Sequence, residues 1–216
     1  MSDADVRRPV PAWLWGGGLL AASAALPMLG QSFYGTPVLL WTARLLAAAA
    51  LVVFALGVRG EGSVVARRPV GTVALFVLAI VPPLIELLTP ALVMPSTTSG
   101  LPDNLWLVQV MGYGGIAIAG AAALVAVVEI ARARVVPDPW RWAPTWALAA
   151  IAGTYVLSQV LIVAAGAAAL ETYAALLAIT GAAAALVPLA LGILAMVLGA
   201  RGLAAAPAQV YPPPAG

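Results

Sequence analysis

Residues 37–58 read PVLLWTARLLAAAALVVFALGV, residues 70–94 read VGTVALFVLAIVPPLIELLTPALVM, and the short connection RGEGSVVARRP joins them. Each apolar run is longer than the about 20 residues that an α-helix needs to cross about 30 Å of hydrocarbon. A connection this short returns the chain to the membrane at once. The stretch therefore predicts two antiparallel transmembrane helices, and this hairpin sets the pattern for the whole chain.

Further apolar runs of spanning length occur elsewhere in the sequence, at 11–31, 104–131, 144–167 and 171–199. The segments between the runs are too short to bury a hydrophobic core of their own. The sequence therefore predicts an all-α integral membrane protein: a six-helix transmembrane bundle with short loops over residues 11–199. Residues 1–10 precede the bundle, and residues 200–216 form a Pro-rich tail that we expect to be disordered.

The overall composition supports this class of protein. Of the 216 residues, 63% are hydrophobic and 8% are charged, and the mean hydropathy is +1.06. A soluble domain is about 45–50% apolar and about 25% charged. Too little polar surface is present to cover a water-soluble globule, so soluble enzymes and nucleic-acid-binding domains are excluded. The expected partner is the lipid bilayer, with no nucleic acid.

The arginines predict the orientation of the bundle. Nine of them lie before the first span, after the last, or in alternate loops: Arg7, Arg8, Arg59, Arg67, Arg68, Arg132, Arg134, Arg141 and Arg201. The other loops, 32–36, 95–103 and 168–170, contain no basic residue. Because basic residues stay on the cytoplasmic side, both termini are predicted to be cytoplasmic. The absence of Lys beside abundant Ala, Gly and Pro is typical of a GC-rich genome, which favours a bacterial plasma membrane.

Every tryptophan falls near a predicted end of a span. The seven are Trp13, Trp15, Trp41, Trp106, Trp140, Trp142 and Trp146. Tryptophan is enriched at both membrane–water interfaces, so we interpret these residues as interface anchors. Trp41 has a second candidate role because it lies one helical turn before Arg44, where its ring could cover the guanidinium.

Two ionisable side chains, Arg44 and Glu86, are predicted well inside spans. A charge costs about 2.5–3.5 kcal/mol to insert at the centre of a transmembrane helix. Arg44 lies about 10 Å and Glu86 about 12 Å below the same outer surface, from the helical rise. Opposite charges at matched depth on consecutive helices predict an ion pair. Such a pair is either a brace that holds the helices in register or part of a binding site.

Other polar side chains are predicted at a similar depth. They are Gln109, Tyr113, Tyr155 and Gln159, whereas the inner half of the bundle is almost entirely aliphatic. Together with Arg44 and Glu86 they predict a polar pocket that opens to the outside. The alternative is that helix ends are generally more polar, in which case these residues form no common site.

The residue types needed for most membrane-embedded catalysis are missing. The chain has no His and no Cys, and no predicted span interior contains Asp. Serine, aspartyl and metal-dependent proteolysis each need some of these groups, and haem ligation by His or Cys is impossible. The sequence therefore predicts no catalytic residue, no metal and no cofactor, and it favours a protein that is not an enzyme.

Two functional hypotheses follow. The first is a non-catalytic accessory or scaffold subunit of a membrane complex, partnered by other subunits or by copies of itself. Small residues spaced four apart on the fourth and sixth spans would permit close helix contacts in either case. The alternative is a transporter or binding protein for a small solute or an ion, with its outward-facing polar pocket around Arg44 and Glu86.

Overall fold

The computed structural model describes residues 10–30, 37–58, 62–92, 104–165 and 170–202. Within them lie the helices α1 (Pro11–Gly30), α2 (Pro37–Leu56), α3 (Pro69–Leu92), α4 (Leu105–Ala133), α5 (Ala143–Ala165) and α6 (Leu170–Ala200). Each helix begins within one residue of a predicted span and ends within two. The predicted N-terminal segment, the Pro-rich tail and the predicted outward loops lie almost wholly outside the described residues.

Five of these helices, α2 to α6, are long and apolar enough to cross a membrane. Helix α1 is also apolar and carries no charged residue. The described residues contain no β-sheet. The fold is therefore all-helical, and its composition is that of a multi-pass membrane protein.

The helices pack in a closed ring, in chain order. Each helix contacts the next along the chain, and α6 returns to contact α1. The most extensive contact is between α1 and α6, and the sparsest between consecutive helices is between α4 and α5. A single turn of 3₁₀-helix, Trp140–Trp142, leads into α5. The ring is thus tight on one side and loose on the other.

Glycines explain why α1 and α6 pack so closely. A Cβ added to Gly17 would lie 2.6 Å from the carbonyl oxygen of Gly192, and one added to Gly192 would lie 2.7 Å from the carbonyl oxygen of Gly17. The two backbones therefore approach each other directly at this point. Inside a bilayer the hydrophobic effect does not drive helices together, because the lipid chains are as apolar as the side chains. Close backbone packing of this kind is therefore a principal source of helix association in membranes.

The hydrophobic core lies at one end of the ring, which we call the arginine-rich end. All the described arginines except Arg44 are here: Arg67, Arg68, Arg132, Arg134, Arg141 and Arg201.

The connection between α2 and α3 folds inward at this end, and Val65 within it is fully buried. The indole N–H of Trp13 donates a 2.8 Å hydrogen bond to the carbonyl of Gly62, whose φ of +77° favours glycine. The Ser63 hydroxyl donates to the carbonyl of Ala55 at 2.7 Å. The connection therefore closes this end of the ring.

Candidate functional site

Arg44 on α2 and Glu86 on α3 form the predicted ion pair, between Nη1 of the arginine and Oε2 of the glutamate. The side chains are 37% and 42% exposed, respectively, so neighbouring helices only partly cover the pair. The guanidinium carbon also lies 6.0 Å from the ring centroid of Trp41, within range of a cation–π contact. Each charge thus has a partner in the protein, and Trp41 covers part of the arginine.

A cavity of about 350 Å³ lies inside the helix ring, toward the arginine-rich end. We call it the central cavity. Every helix of the ring contributes to its wall, through residues that include Leu20, Leu51, Leu75, Val127, Leu148 and Leu194. Trp13 and Val64 close it at the arginine-rich end. The lining side chains are aliphatic or aromatic, and the volume lies within the about 300–1,000 Å³ typical of small-molecule sites.

The ion pair lies on the helix faces that line the central cavity. Leu51 follows Arg44 by seven residues, or two helical turns, and Leu75 precedes Glu86 by eleven residues, or three turns. Residues at these spacings share a face of an α-helix. At the α-helical rise per residue, Arg44 and Glu86 lie about 10–17 Å farther from the arginine-rich end than Leu51 and Leu75 do. The interior has an apolar half and a charged half.

Three of the other predicted polar residues occupy the corresponding faces of α4 and α5. Gln109 shares the face of Val127, and Tyr155 and Gln159 share the face of Leu148. All three are exposed. Within the described ranges, no hydrogen bond or ion pair links them to Arg44 or Glu86. They face the same interior without forming one closed polar site.

Tyr113 is the sixth predicted member, and its residue is 66% exposed. Nothing in the described part of the chain connects it to the ion pair. The structure therefore brings together Arg44, Glu86 and Trp41, but it does not bring Tyr113 to them.

Trp13 does not have the exposure expected of an interface anchor. This residue is 2% exposed and packs in the core, where its indole N–H is satisfied by the backbone of the α2–α3 connection. Trp41 is half-buried beside Arg44. The remaining tryptophans are exposed, as an anchor must be: Trp15, Trp106, Trp140, Trp142 and Trp146. Proximity to a helix end did not distinguish the buried ring from the exposed ones.

Sequence reasoning missed one charged group, Glu129 on α4. Its residue is 9% exposed, and its carboxylate contacts Arg132 on the same helix at 3.2 Å and Arg68 before α3 at 3.6 Å. The i, i+3 spacing of Glu129 and Arg132 is visible in the sequence. The contact with Arg68 depends on how α3 and α4 pack, so it could not be predicted from the sequence. The cluster ties these helices together at the arginine-rich end.

The described residues contain no group of three or more His, Cys, Asp or Glu side chains that could hold a metal ion. The candidate site therefore consists of an apolar cavity and of an ion pair on the same helix faces, farther from the arginine-rich end. Comparison of the chain with protein-family models, curated proteins and solved structures finds no match.

Proposed function

We propose that this chain is a multi-pass membrane protein that binds a small apolar or amphipathic molecule between its helices. The central cavity is the observation that carries the proposal. It is large enough for a ligand, and every helix of the ring contributes to its wall. An apolar cavity does not hold ordered water, because water would find no hydrogen-bond partners there, and it can bind an apolar molecule instead.

The proposal includes the full topology. We take all six helices to cross a bacterial plasma membrane, with both termini in the cytoplasm. Helix α1 carries no charged residue, and it packs between α2 and α6, each of which is long and apolar enough to span. This position supports placing α1 across the bilayer beside them. The arginine-rich end is then the cytoplasmic end.

A polar solute or a free ion is less well supported as the ligand. The cavity lacks the donors and acceptors that a polar solute would need on leaving water. Arg44 and Glu86 neutralise each other, so neither needs a ligand charge. The small-solute hypothesis is therefore kept, with the ligand changed from a polar one to an apolar or amphipathic one.

Quenching of Trp13 fluorescence tests this proposal. The other six tryptophans are replaced by Phe, which leaves Trp13 as the only reporter at the closed end of the cavity. Bromododecane added to the purified protein in detergent should quench this emission saturably, because bromine quenches on contact and Trp13 is shielded from the detergent phase.

Matched variants give the control. Ala147 lines the cavity, whereas Ala149 is exposed on the same helix. Ala147→Phe should fill part of the cavity and reduce the quenching, and Ala149→Phe should leave it unchanged. Equal quenching in both variants, or none in the starting protein, would remove the case for a ligand in the cavity.

The accessory-subunit hypothesis is retained as a second candidate because of a groove on the ring's outer surface. The groove, about 470 Å³ in volume, lies between α3 and α4 and is lined by Val70, Val73, Val77, Ala121 and Val125, among others. Cβ atoms added at Gly112 or Gly120 of α4 would meet nothing within 4 Å. A partner helix could pack here, from another subunit or another copy of the chain.

Photocrosslinking tests this second candidate. A benzophenone amino acid at Val73, in the groove, should capture a protein in intact membranes. The same group at Trp146, exposed on α5, serves as the control position. Equal capture at both positions would show that the groove is not a preferred surface.

A further inference from the structure

The wall of the central cavity is weakest between α4 and α5. These are the consecutive helices with the sparsest contact, although both contribute several residues to the cavity. On the α5 side, Ile151 and Trp140 line the cavity and are nevertheless 40% and 47% exposed. Among the residues that line the cavity, these two are the ones classed as exposed. The cavity therefore opens sideways, toward the position of the lipid.

The arginine-rich end of this opening carries positive charge. Val136, in the connection between α4 and α5, lines the cavity, and Arg134 lies two residues before it. Arg134 is exposed, and within the described residues no ion pair engages it.

Two neighbouring arginines are already engaged. Arg141 lies 2.7 Å from Asp138 and 5.4 Å from the ring centroid of Trp142, and Arg132 lies 3.2 Å from Glu129. Arg134 is thus the cation in this connection that is available to an anion from outside the protein.

From this arrangement we infer that the guest is an anionic phospholipid of the leaflet at the arginine-rich end. One acyl chain passes between α4 and α5 into the central cavity, and the headgroup phosphate pairs with Arg134. The inference rests on the proposed function and adds the ligand class, the route and the charged residue. A phospholipid carries a charged headgroup and a hydrocarbon chain in one molecule. The headgroup would therefore lie at Arg134 while the chain enters the central cavity beside it.

The experiment uses the Trp13-only protein in nanodiscs of phosphatidylcholine with a minor fraction of chain-brominated lipid. Brominated phosphatidylglycerol is compared with brominated phosphatidylcholine of the same chains. Trp13 is buried from the surrounding bilayer, so quenching requires a chain inside the cavity. We expect the anionic lipid to quench more strongly at equal fraction, and Ala147→Phe to reduce both signals.

Arg134→Gln should lower the preference for the anionic lipid about fivefold, as expected for loss of one arginine near a membrane surface. Arg201→Gln is the matched control: it removes an exposed arginine from the same end of the ring, after α6. It should change the preference by much less.

The outcomes separate the two proposals. If bromododecane quenches in detergent but both lipids quench equally in nanodiscs, the cavity remains a ligand site. The anionic-phospholipid assignment is then overturned. An anionic preference that Arg134→Gln and Arg201→Gln reduce equally assigns it to the general charge of this end and overturns the role of Arg134. If bromododecane fails as well, the proposed function fails with the inference.

Discussion

Individual charged and aromatic side chains in this protein are held by partners on other elements. Arg44 contacts Glu86 across α2 and α3 and lies over Trp41. Glu129 contacts Arg68 before α3, and Trp13 reaches the backbone of Gly62. Polar groups in an apolar bundle cannot remain unpartnered without a cost of several kcal/mol, so each of these contacts specifies how its helices are arranged.

The first prediction concerns the Arg44–Glu86 pair. Arg44→Met or Glu86→Leu alone leaves the other charge without its partner, and each should destabilise the protein by about 2.5–3.5 kcal/mol if the pair lies in hydrocarbon. The double variant removes both charges and should recover most of the lost stability. The measurement is thermal unfolding in detergent of the parent, the two single variants and the double variant.

Additive losses in that cycle would show that the residues are not coupled, despite their contact. Single losses below about 1 kcal/mol would instead indicate that water screens the pair, as at a protein surface. A stable double variant that no longer binds its ligand would show that the pair belongs to the site as well as to the scaffold.

The second prediction separates the two roles of Trp13. Trp13→Phe keeps most of the buried ring but leaves the carbonyl of Gly62 without its donor, which should cost about 1 kcal/mol. Trp13→Ala also leaves a void in the core and should cost about 3–5 kcal/mol. Trp15→Ala, at an exposed position two residues away, is the control and should have a small effect. Similar losses for Trp13→Ala and Trp15→Ala would contradict the burial of Trp13.

At the scale of the helices, the contact between α1 and α6 is the most extensive in the ring. Gly17 and Gly192 allow the two backbones to touch, whereas Gly18 points toward more open space. The nearest atom to a Cβ added at Gly18 is Sδ of Met196, at 3.9 Å. Neighbouring glycines in one helix therefore have opposite tolerance for a methyl group.

The third prediction uses this difference. Gly17→Ala places its Cβ against backbone atoms that cannot move away, and it should destabilise the protein by about 1–3 kcal/mol, as overpacking does. Gly18→Ala should be neutral or stabilising by up to about 1 kcal/mol, because Ala favours helix more than Gly. Thermal unfolding of both variants in one detergent gives the comparison. Equal tolerance at the two positions would mean that α1 and α6 are farther apart than described.

At the scale of the whole molecule, the helix ring is asymmetric along its axis and around its circumference. The core and the closed end of the cavity lie at the arginine-rich end, and the loose contact lies between α4 and α5. Within the described residues the α4–α5 contact and the α1–α6 contact share no helix, so we expect a change in the first to leave the second intact.

The fourth prediction tests the orientation of the ring. The chain contains no Cys, so a single cysteine can report on each side of the membrane. Ala200→Cys, exposed at the arginine-rich end, should react with an impermeant maleimide only after lysis. Ser99→Cys, in a predicted outward loop, should react on intact cells. Ser63, a natural choice from sequence alone, is unsuitable because it is buried and hydrogen-bonded. The reverse labelling pattern would invert the proposed topology.

Much of the architecture was predictable from the sequence, because the length of an apolar run is a property of the chain in one dimension. The limits of the helices follow from it to within two residues. The Arg44–Glu86 contact was predictable for a related reason: consecutive helices of known direction place these charges at the same depth. Distance along a helix axis can be counted from residue numbers alone.

The tertiary structure alone decided which face of each helix points inward. These helices are apolar on almost every face, so they lack the polar and apolar stripes that reveal the buried side of a helix in a soluble protein. The burial of Trp13, the contact of Glu129 with Arg68, and the central cavity all depend on the rotation of each helix about its axis. Packing between helices sets that rotation, for example through the close approach of Gly17 to Gly192. No local pattern in the sequence encodes it.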